Sequence, residues 1–343
     1  MHTAMFYVVT DSRASYPSIV RGLEDTARAQ VVELDPSEHM GMSSPIVSKR
    51  RIARRLISPA LLRLRRRWSA EDAVLVISWY VLPILALIRI GVLPRPRKLV
   101  ALGVFVQSPS IRRAVNAILR SAMIPELEVI AFSEGERRTL LDAVGIPPER
   151  VHKLIWGGAA VAAFKTEAAA LDRSDGPYIF SGGYANRDYA TLFAAVEGLD
   201  YPVVVVASSR NRLRDPPVNV SLRTDLPEEE FERLLAGCDL LVVPLHATGE
   251  ASGQSVLFRG IQHGRPFVGT RHDGLIDYLG EDYPGFVPAE DVTALRAVIS
   301  RAMNDGSFRH GLNHQILARR EVLRNQRECL NEVLAILQEG RQQ

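Results

Sequence analysis

Apolar and polar positions along this chain fall into alternating blocks. Short, continuously apolar runs are separated by longer stretches with helical spacing, and turn residues punctuate the two. In the first half the runs Met5–Thr10, Gln30–Leu34, Ala73–Ser78, Lys98–Leu102 and Glu128–Ala131 predict strands. Strands that are apolar throughout, without alternation, belong to parallel sheets covered on both faces. Helices are expected near Pro17–Ala29, Ser48–Trp68, Tyr80–Ile90, Ser110–Ser121 and Glu134–Val144, the last stopped by Gly145 and Pro147-Pro148. After an Ala-rich, polar stretch (Gly157–Gly176) the series restarts. Strands are predicted at Tyr178–Ser181, Val203–Ala207, Leu240–Val243, Phe267–Gly269 and Gly285–Val287. The intervening helices fall near Tyr189–Glu197, Glu228–Ala236, Gly253–His263 and Val292–Met303, with one long helix, Gly311–Gln338, at the end.

A chain of 343 residues exceeds what one hydrophobic core supports, so two doubly wound α/β domains are expected. The pattern places an N-terminal domain over residues 1–160 and a second over 161–310. The closing helix, 311–343, is expected to return to the first. The run Ala73–Leu93 is nearly free of charge and about long enough to span a bilayer. Ser78, Pro83, Arg89 and Gly91 instead divide it into a buried strand and helix. Two cysteines, Cys238 and Cys329, lack metal-ligand spacing, and the first residues carry no secretory pattern, so a cytoplasmic protein is expected.

Charge changes the picture locally. The net charge is only +3, but Lys49–Trp68 holds nine Lys or Arg and no acid. Without it the chain has 33 basic and 39 acidic residues. Leu56, Ile57, Leu61, Leu62 and Leu64 are interleaved with Arg54, Arg55, Arg63 and Arg66. Such a segment suits an anionic membrane surface or a polyanionic acceptor, the alternative being a solvated helix face. No nucleic-acid-binding motif accompanies it, and nucleic acid is not an expected partner.

The strongest chemical signal lies in Pro244–Gly274. It reads as a strand end, a polar loop, a helix opening at Ser252-Gly253-Gln254, then Gly264-Arg265-Pro266 and another strand. The first amides of a helix lack intrahelical partners and its dipole favours negative charge there. A phosphate-bearing ligand is therefore expected; the structural alternative is that Ser252 only caps a surface helix.

Other pieces stand in order around this one: Ser181-Gly182-Gly183, Arg187-Asp188-Tyr189 and Leu192; Asn219-Val220; Pro227–Phe231; Cys238–Pro244; His263–Val268; Gly274; Asp277-Tyr278; Gly285–Val287; Asp291 and Leu295. Together they resemble the donor-binding domain of retaining glycosyltransferases of the GT-B fold, the GT4 family in particular. Phe132-Ser133-Glu134, Leu140, Gly145-Ile146-Pro147, Val151 and Gly157 resemble the end of the acceptor domain, so the resemblance covers about Val129 to Met303. It implies two Rossmann-like doubly wound parallel-sheet domains facing a central cleft. The implied activity is transfer of a sugar from a nucleotide-sugar (UDP-, GDP- or dTDP-linked) to a saccharide, lipid-linked or small-molecule acceptor, retaining and metal-independent. No tightly bound cofactor is implied, and the sequence shows no paired-carboxylate metal site.

Charge grows on the leaving diphosphate as the glycosidic bond breaks, so a cation and N–H donors are needed there. Arg187 can hold phosphate oxygens bidentately, and Gly182 and Gly183 allow close backbone approach. Ser252, Gly253, Gln254 and Ser255 supply helix-terminal donors. Glu250 is placed on the sugar hydroxyls, and with Arg187 forms the expected catalytic pair. His246 and His272 flank the site on loops; they are candidates to touch the donor, although a lone loop histidine is more often simply solvated.

Departures from the pattern are specific. Aligned on Gly264-Arg265-Pro266, the family's two glutamates, eight residues apart, become Ala251 and Arg259. The second of these normally binds ribose, so ribose recognition must differ here, with Gln254 or Glu250 as the expected partial substitute. An Arg customary after the first donor-domain strand is replaced by Gly183 or Tyr184, and Asp11-Ser12-Arg13-Ala14 stands where a glycine pair is usual. The acceptor half holds only His2, His39 and His152, none at the customary position. Two further readings therefore stay open: a catalytically silent nucleotide-sugar-binding or scaffold protein, and a GT-B nucleotide-sugar epimerase.

Overall fold

A computed structural model of the chain describes residues 5–10, 17–34, 59–77, 80–104, 109–155, 176–248, 251–319 and 326–339. These form two compact units, Met1–Ile155 with Gln326–Gln343, and Trp156–Asn325.

The first unit is built on a parallel sheet of order β2-β1-β3-β4-β5-β6. Its strands are β1 (Phe6–Thr10), β2 (Gln30–Glu33), β3 (Ala73–Ile77), β4 (Lys98–Leu102), β5 (Leu127–Ala131) and β6 (Val151–Lys153). β1, β3 and β4 are buried at every position, which is why their sequences show no alternation. Helices α1 (Pro17–Ala27), α2 (Pro59–Arg63), α3 (Val81–Arg89), α4 (Pro109–Ala122) and α5 (Glu134–Thr139) connect them. The apolar Ala73–Leu93 run is thus two elements, and among the described residues no helix is long and apolar enough to cross a membrane.

Within the basic segment the helix starts at Pro59, whose fixed φ suits a first helical position. The expected helix upstream, Ser48–Ser58, lies outside the described residues. Leu61, Leu64 and Trp68 enter the core, whereas Leu62 is 60% exposed.

The expected single helix Gly311–Gln338 is instead two. α11 (Gly306–Ala318) belongs to the second unit and α12 (Gln326–Gln338) to the first. α12 lies on α1, β3 and β4, with Leu330 against Gly22. Its end is held by Arg97, which donates to the Leu337 and Glu339 carbonyls at 3.0 and 2.8 Å.

The second unit has a parallel sheet of order β12-β11-β10-β7-β8-β9. Its strands are β7 (Ile179–Gly182), β8 (Val203–Ala207), β9 (Val220–Thr224), β10 (Leu240–Val243), β11 (Phe267–Thr270) and β12 (Phe286–Val287). α6 (Tyr189–Val196), α7 (Glu228–Gly237), α8 (Gln254–His263), α9 (Asp273–Leu279) and α10 (Val292–Asn304) complete it. In order of appearance the strands run 3-2-1-4-5-6 across the sheet, so the direction of winding reverses between β7 and β10. Ligands of such sheets lodge at the carboxyl ends of the strands flanking that reversal. β6, β9 and α9 were not expected from the pattern as separate elements; β6 and α9 are short, and β9, five residues long, is largely unburied and lacks a continuous apolar run.

Candidate functional site

The loops leaving β7 and β10 contain the two segments singled out in the sequence. At the end of β7, a β-carbon on Gly182 would lie 2.6 Å from the Phe231 ring, so only glycine fits. Gly183 has φ +120°, in the range that favours glycine, and its open side is filled by the Arg187 guanidinium. The loop then folds its carbonyls onto side chains. Gly182 O accepts from Arg187 Nε at 3.0 Å and Ala185 O from Nη1 at 2.7 Å. Gly183 O accepts from the Tyr189 hydroxyl at 2.7 Å, and Tyr184 O from Asn211 Nδ2 at 3.1 Å.

Arg187 is therefore fixed, 8% exposed, and among the described residues bonded to neutral carbonyls alone. The adjacent Asp188 does not neutralise it, because its carboxylate caps α6 through the Thr191 N–H and hydroxyl at 3.0 and 2.6 Å. Among the described residues Arg187 has no ion-pair partner. Burial alone pulls its pKa below the usual guanidinium value.

This loop is fastened to the one after β10. Asp188 N–H donates to Pro244 O at 3.1 Å and His246 N–H to Asn186 O at 3.3 Å, while Asn186 Nδ2 reaches Thr248 Oγ1 at 2.9 Å. Thr270 ties in β11, accepting from the Leu245 N–H at 2.8 Å. α8 then opens at the reversal point. Its N-cap is Gly253 with φ +82° and no side-chain cap, so Ser252 is not the capping residue. The helical ladder begins with Val256 and Leu257 donating to Gly253 O at 3.2 and 2.9 Å, so the Ser255 amide stands ahead of it.

His272 corrects an expectation. It is no solvated loop residue but the N-cap of α9, 4% exposed, its Nδ1 accepting the Gly274 N–H at 3.2 Å. That bond requires Nδ1 unprotonated and puts the proton on Nε2. Nε2 is buried near the Thr248 carbonyl without hydrogen-bonding to it. Burial, with help from the nearby Arg187 charge, holds this imidazole below its ordinary pKa, against an opposing contribution from Asp273. Gly274 permits the arrangement, since a β-carbon there would meet the Ser252 backbone at 3.1 Å. His246 is the exposed one of the pair, 3.7 Å from Glu290 and 3.9 Å from Asp188.

A second corner of the same edge collects charge. Arg259, on the second turn of α8, lies 5.2 Å over the Phe231 ring and reaches two glutamates of α7. It pairs with Glu228, and its Nη1 is 3.2 Å from Glu232 Oε2. Glu232 is 3% exposed and also takes His263 Nε2 at 2.6 Å. Burial, then the charges of Glu228 and Asp225, raise the pKa of Tyr184. The sequence marked Arg259 only as a departure and missed Glu228, because the partners sit 31 positions apart on different helices.

The structure thus brings Gly182, Gly183, Arg187, Ser252, Gly253, Gln254 and Ser255 to one edge of the second sheet. Glu250 lies outside the described residues, as do Arg54 and Arg55. Arg63 and Arg66, with Arg65, Leu62 and Val92, line an open groove of about 730 Å³ in the first unit.

No protein-family model matches the sequence, and no curated protein sequence does either. Solved structures do. The N-terminal domain of trehalose-6-phosphate phosphatase from Candida albicans superposes with a TM-score of 0.73 at 13% identity, over 99% of this chain and 97% of that one. A UDP-forming α,α-trehalose-phosphate synthase from Burkholderia xenovorans gives 0.74 at 12%, over 99% and 100%. HepE from Anabaena, in complex with UDP and glucose, gives 0.72 at 13%, over 98% and 100%. The chain has the GT-B fold. Similarity at this identity establishes architecture, and chemistry has to come from the residues.

Proposed function

We propose that this protein is a glycosyltransferase moving a sugar from a nucleotide-sugar to a saccharide, lipid-linked or small-molecule acceptor, with retention of configuration and without a metal ion. One observation carries the reading. At the reversal point of the second sheet a buried guanidinium, without an acid partner among the described residues, shares the strand-end edge with the opening turn of α8. A cation taken out of water without a counter-charge is costly, and an anionic ligand supplies what is missing. Arg187 cannot swing, because Gly182 O and Ala185 O hold it, so it meets developing phosphate charge without reorganising. The α8 amides add donors on the same edge.

Two of the similar structures favour a UDP-sugar among the possible donors: a synthase described as UDP-forming, and HepE with UDP and glucose bound. The groove lined by Arg63, Arg65 and Arg66, bordered by exposed Leu62, supports an acceptor presented at an anionic lipid surface.

Thermal denaturation with UDP, GDP and dTDP tests the donor site. A nucleotide at a hundred times its Kd stabilises the folded state by about 2.7 kcal/mol. Wild type should shift with at least one of them and Arg187→Ala with none; an undiminished shift in the variant refutes the phosphate role. Release of free UDP from UDP-sugars then separates a transferase from a protein that only binds.

A further inference from the structure

The charged corner beside the phosphate site has a use of its own. Gly182 O holds Arg187, the Gly182 backbone rests on Phe231, and that ring, edge-on to Phe180, also lies under Arg259. The guanidinium of Arg259 is therefore one aromatic ring away from the loop that carries Arg187. α8 links the two places as well. Its opening amides and Arg259 are five residues apart, a rise of about 7.5 Å.

Arg259 gathers two carboxylates, and they differ. Glu232 is sealed between Arg259 and His263. Glu228, in the first turn of α7, has its side chain 43% exposed, and the ion pair engages its Oε1. The Tyr184 hydroxyl and the Asp225 carboxylate lie close by, and Asp225 is tied down by the Ser209 N–H at 3.2 Å. An oriented, half-open carboxylate next to a phosphate site suits a vicinal diol, since a carboxylate oxygen accepts from each hydroxyl in a charge-assisted bond.

On the donor reading above, we propose that Glu228 binds the ribose hydroxyls of the donor nucleotide. Arg259 is its positioning residue, and the donor is a ribonucleotide sugar rather than a deoxyribonucleotide one. This assigns ribose recognition to α7 rather than to Gln254 or Glu250, the residues the sequence offered once Arg259 stood in place of the expected acid on α8.

Calorimetric titration of the full chain with UDP, 2′-deoxy-UDP, 3′-deoxy-UDP and inorganic pyrophosphate tests it. A charge-assisted hydrogen bond to each hydroxyl predicts that wild type binds either deoxynucleotide about tenfold to a hundredfold more weakly than UDP. Glu228→Gln should lose a comparable factor for UDP, abolish the discrimination, and leave pyrophosphate affinity unchanged. Arg259→Met should reduce the discrimination and Arg259→Lys restore part of it. Equal binding of UDP and both deoxynucleotides by wild type overturns the proposal without any variant, and so does undiminished discrimination in Glu228→Gln. Pyrophosphate binding without discrimination defeats this assignment alone. Failure of wild type to bind pyrophosphate or any nucleoside diphosphate defeats the donor site itself, and this assignment with it.

Discussion

Replacing Gly183 by alanine attacks the Arg187 site through the backbone, and its cost can be assembled from the structure. The new β-carbon would sit 2.7 Å from both Cζ and Nε of Arg187, inside van der Waals contact, with Nη2 closer still. The guanidinium must move, and its bonds to Gly182 O and Ala185 O, at 3.0 and 2.7 Å, are lost or lengthened. Each charge-assisted bond contributes about 1.5–3 kcal/mol. The φ of +120° adds strain of about 1–3 kcal/mol for a residue with a side chain. With partial relaxation the total is about 3–5 kcal/mol. For a unit of this size that lowers the unfolding temperature by roughly 10–15 °C. Scanning calorimetry reads this directly. Gly198→Ala is the control: its φ is +73°, but nothing lies within 4 Å of the added carbon, so it should cost about 1–2 kcal/mol. A double-mutant cycle decides the cause, because in an Arg187→Ala background Gly183→Ala should retain only the backbone component. Coupling below about 0.5 kcal/mol, the range of independent sites, would refute the claim that Gly183 exists to house the guanidinium.

The lowered pKa of His272 makes stability pH-dependent. Its folded state prefers the neutral ring, so its contribution is complete above the unfolded value of about 6.5 and is lost as pH falls from there through the lower folded value. Urea midpoints from pH 8 to pH 5 should therefore decline less steeply in His272→Gln than in wild type; parallel curves would show that the ring titrates normally. At the basic groove, Arg63→Ala/Arg66→Ala should weaken co-sedimentation with phosphatidylserine vesicles by about 2 kcal/mol, near 30-fold, at low salt. Wild type that stays in the supernatant would remove the membrane surface from the proposal.

Much of the fold was legible because strands buried on both faces leave short, continuously apolar runs bounded by turn residues. Met5–Thr10, Ala73–Ser78 and Lys98–Leu102 read as continuous apolar runs and became β1, β3 and β4, each buried throughout. β6, with three residues, and α9, with seven, were too short to impose a period. The terminal helix was misread for a different reason. Polar residues in Arg319–Asn325 preserve helical composition, so nothing in the pattern marks the change from α11 in one unit to α12 in the other.

The candidate site was legible to the extent that it depends on local rules. A Gly pair, a downstream Arg and a loop-to-helix opening each have a reason visible in a few consecutive residues. Partnerships across the sheet do not. Ser252 looked like the cap of α8, yet the chain turns left-handed at Gly253, and Ser252 is buried beneath Gly274. His272 looked exposed because only the fold brings α9 against the backbone of the α8 loop. Arg187 shows the same limit from the other side. Its neighbour Asp188 is an acid, but that carboxylate is spent on the first turn of α6. What remains is a fixed positive charge surrounded by carbonyls and a phenol, in the place where the winding of the sheet reverses. Packing alone gives no reason to keep it there, since an apolar side chain would occupy the space beside Gly183 at lower desolvation cost. Retaining arginine makes physical sense if the counter-charge arrives with the ligand, and a diphosphate meets that requirement.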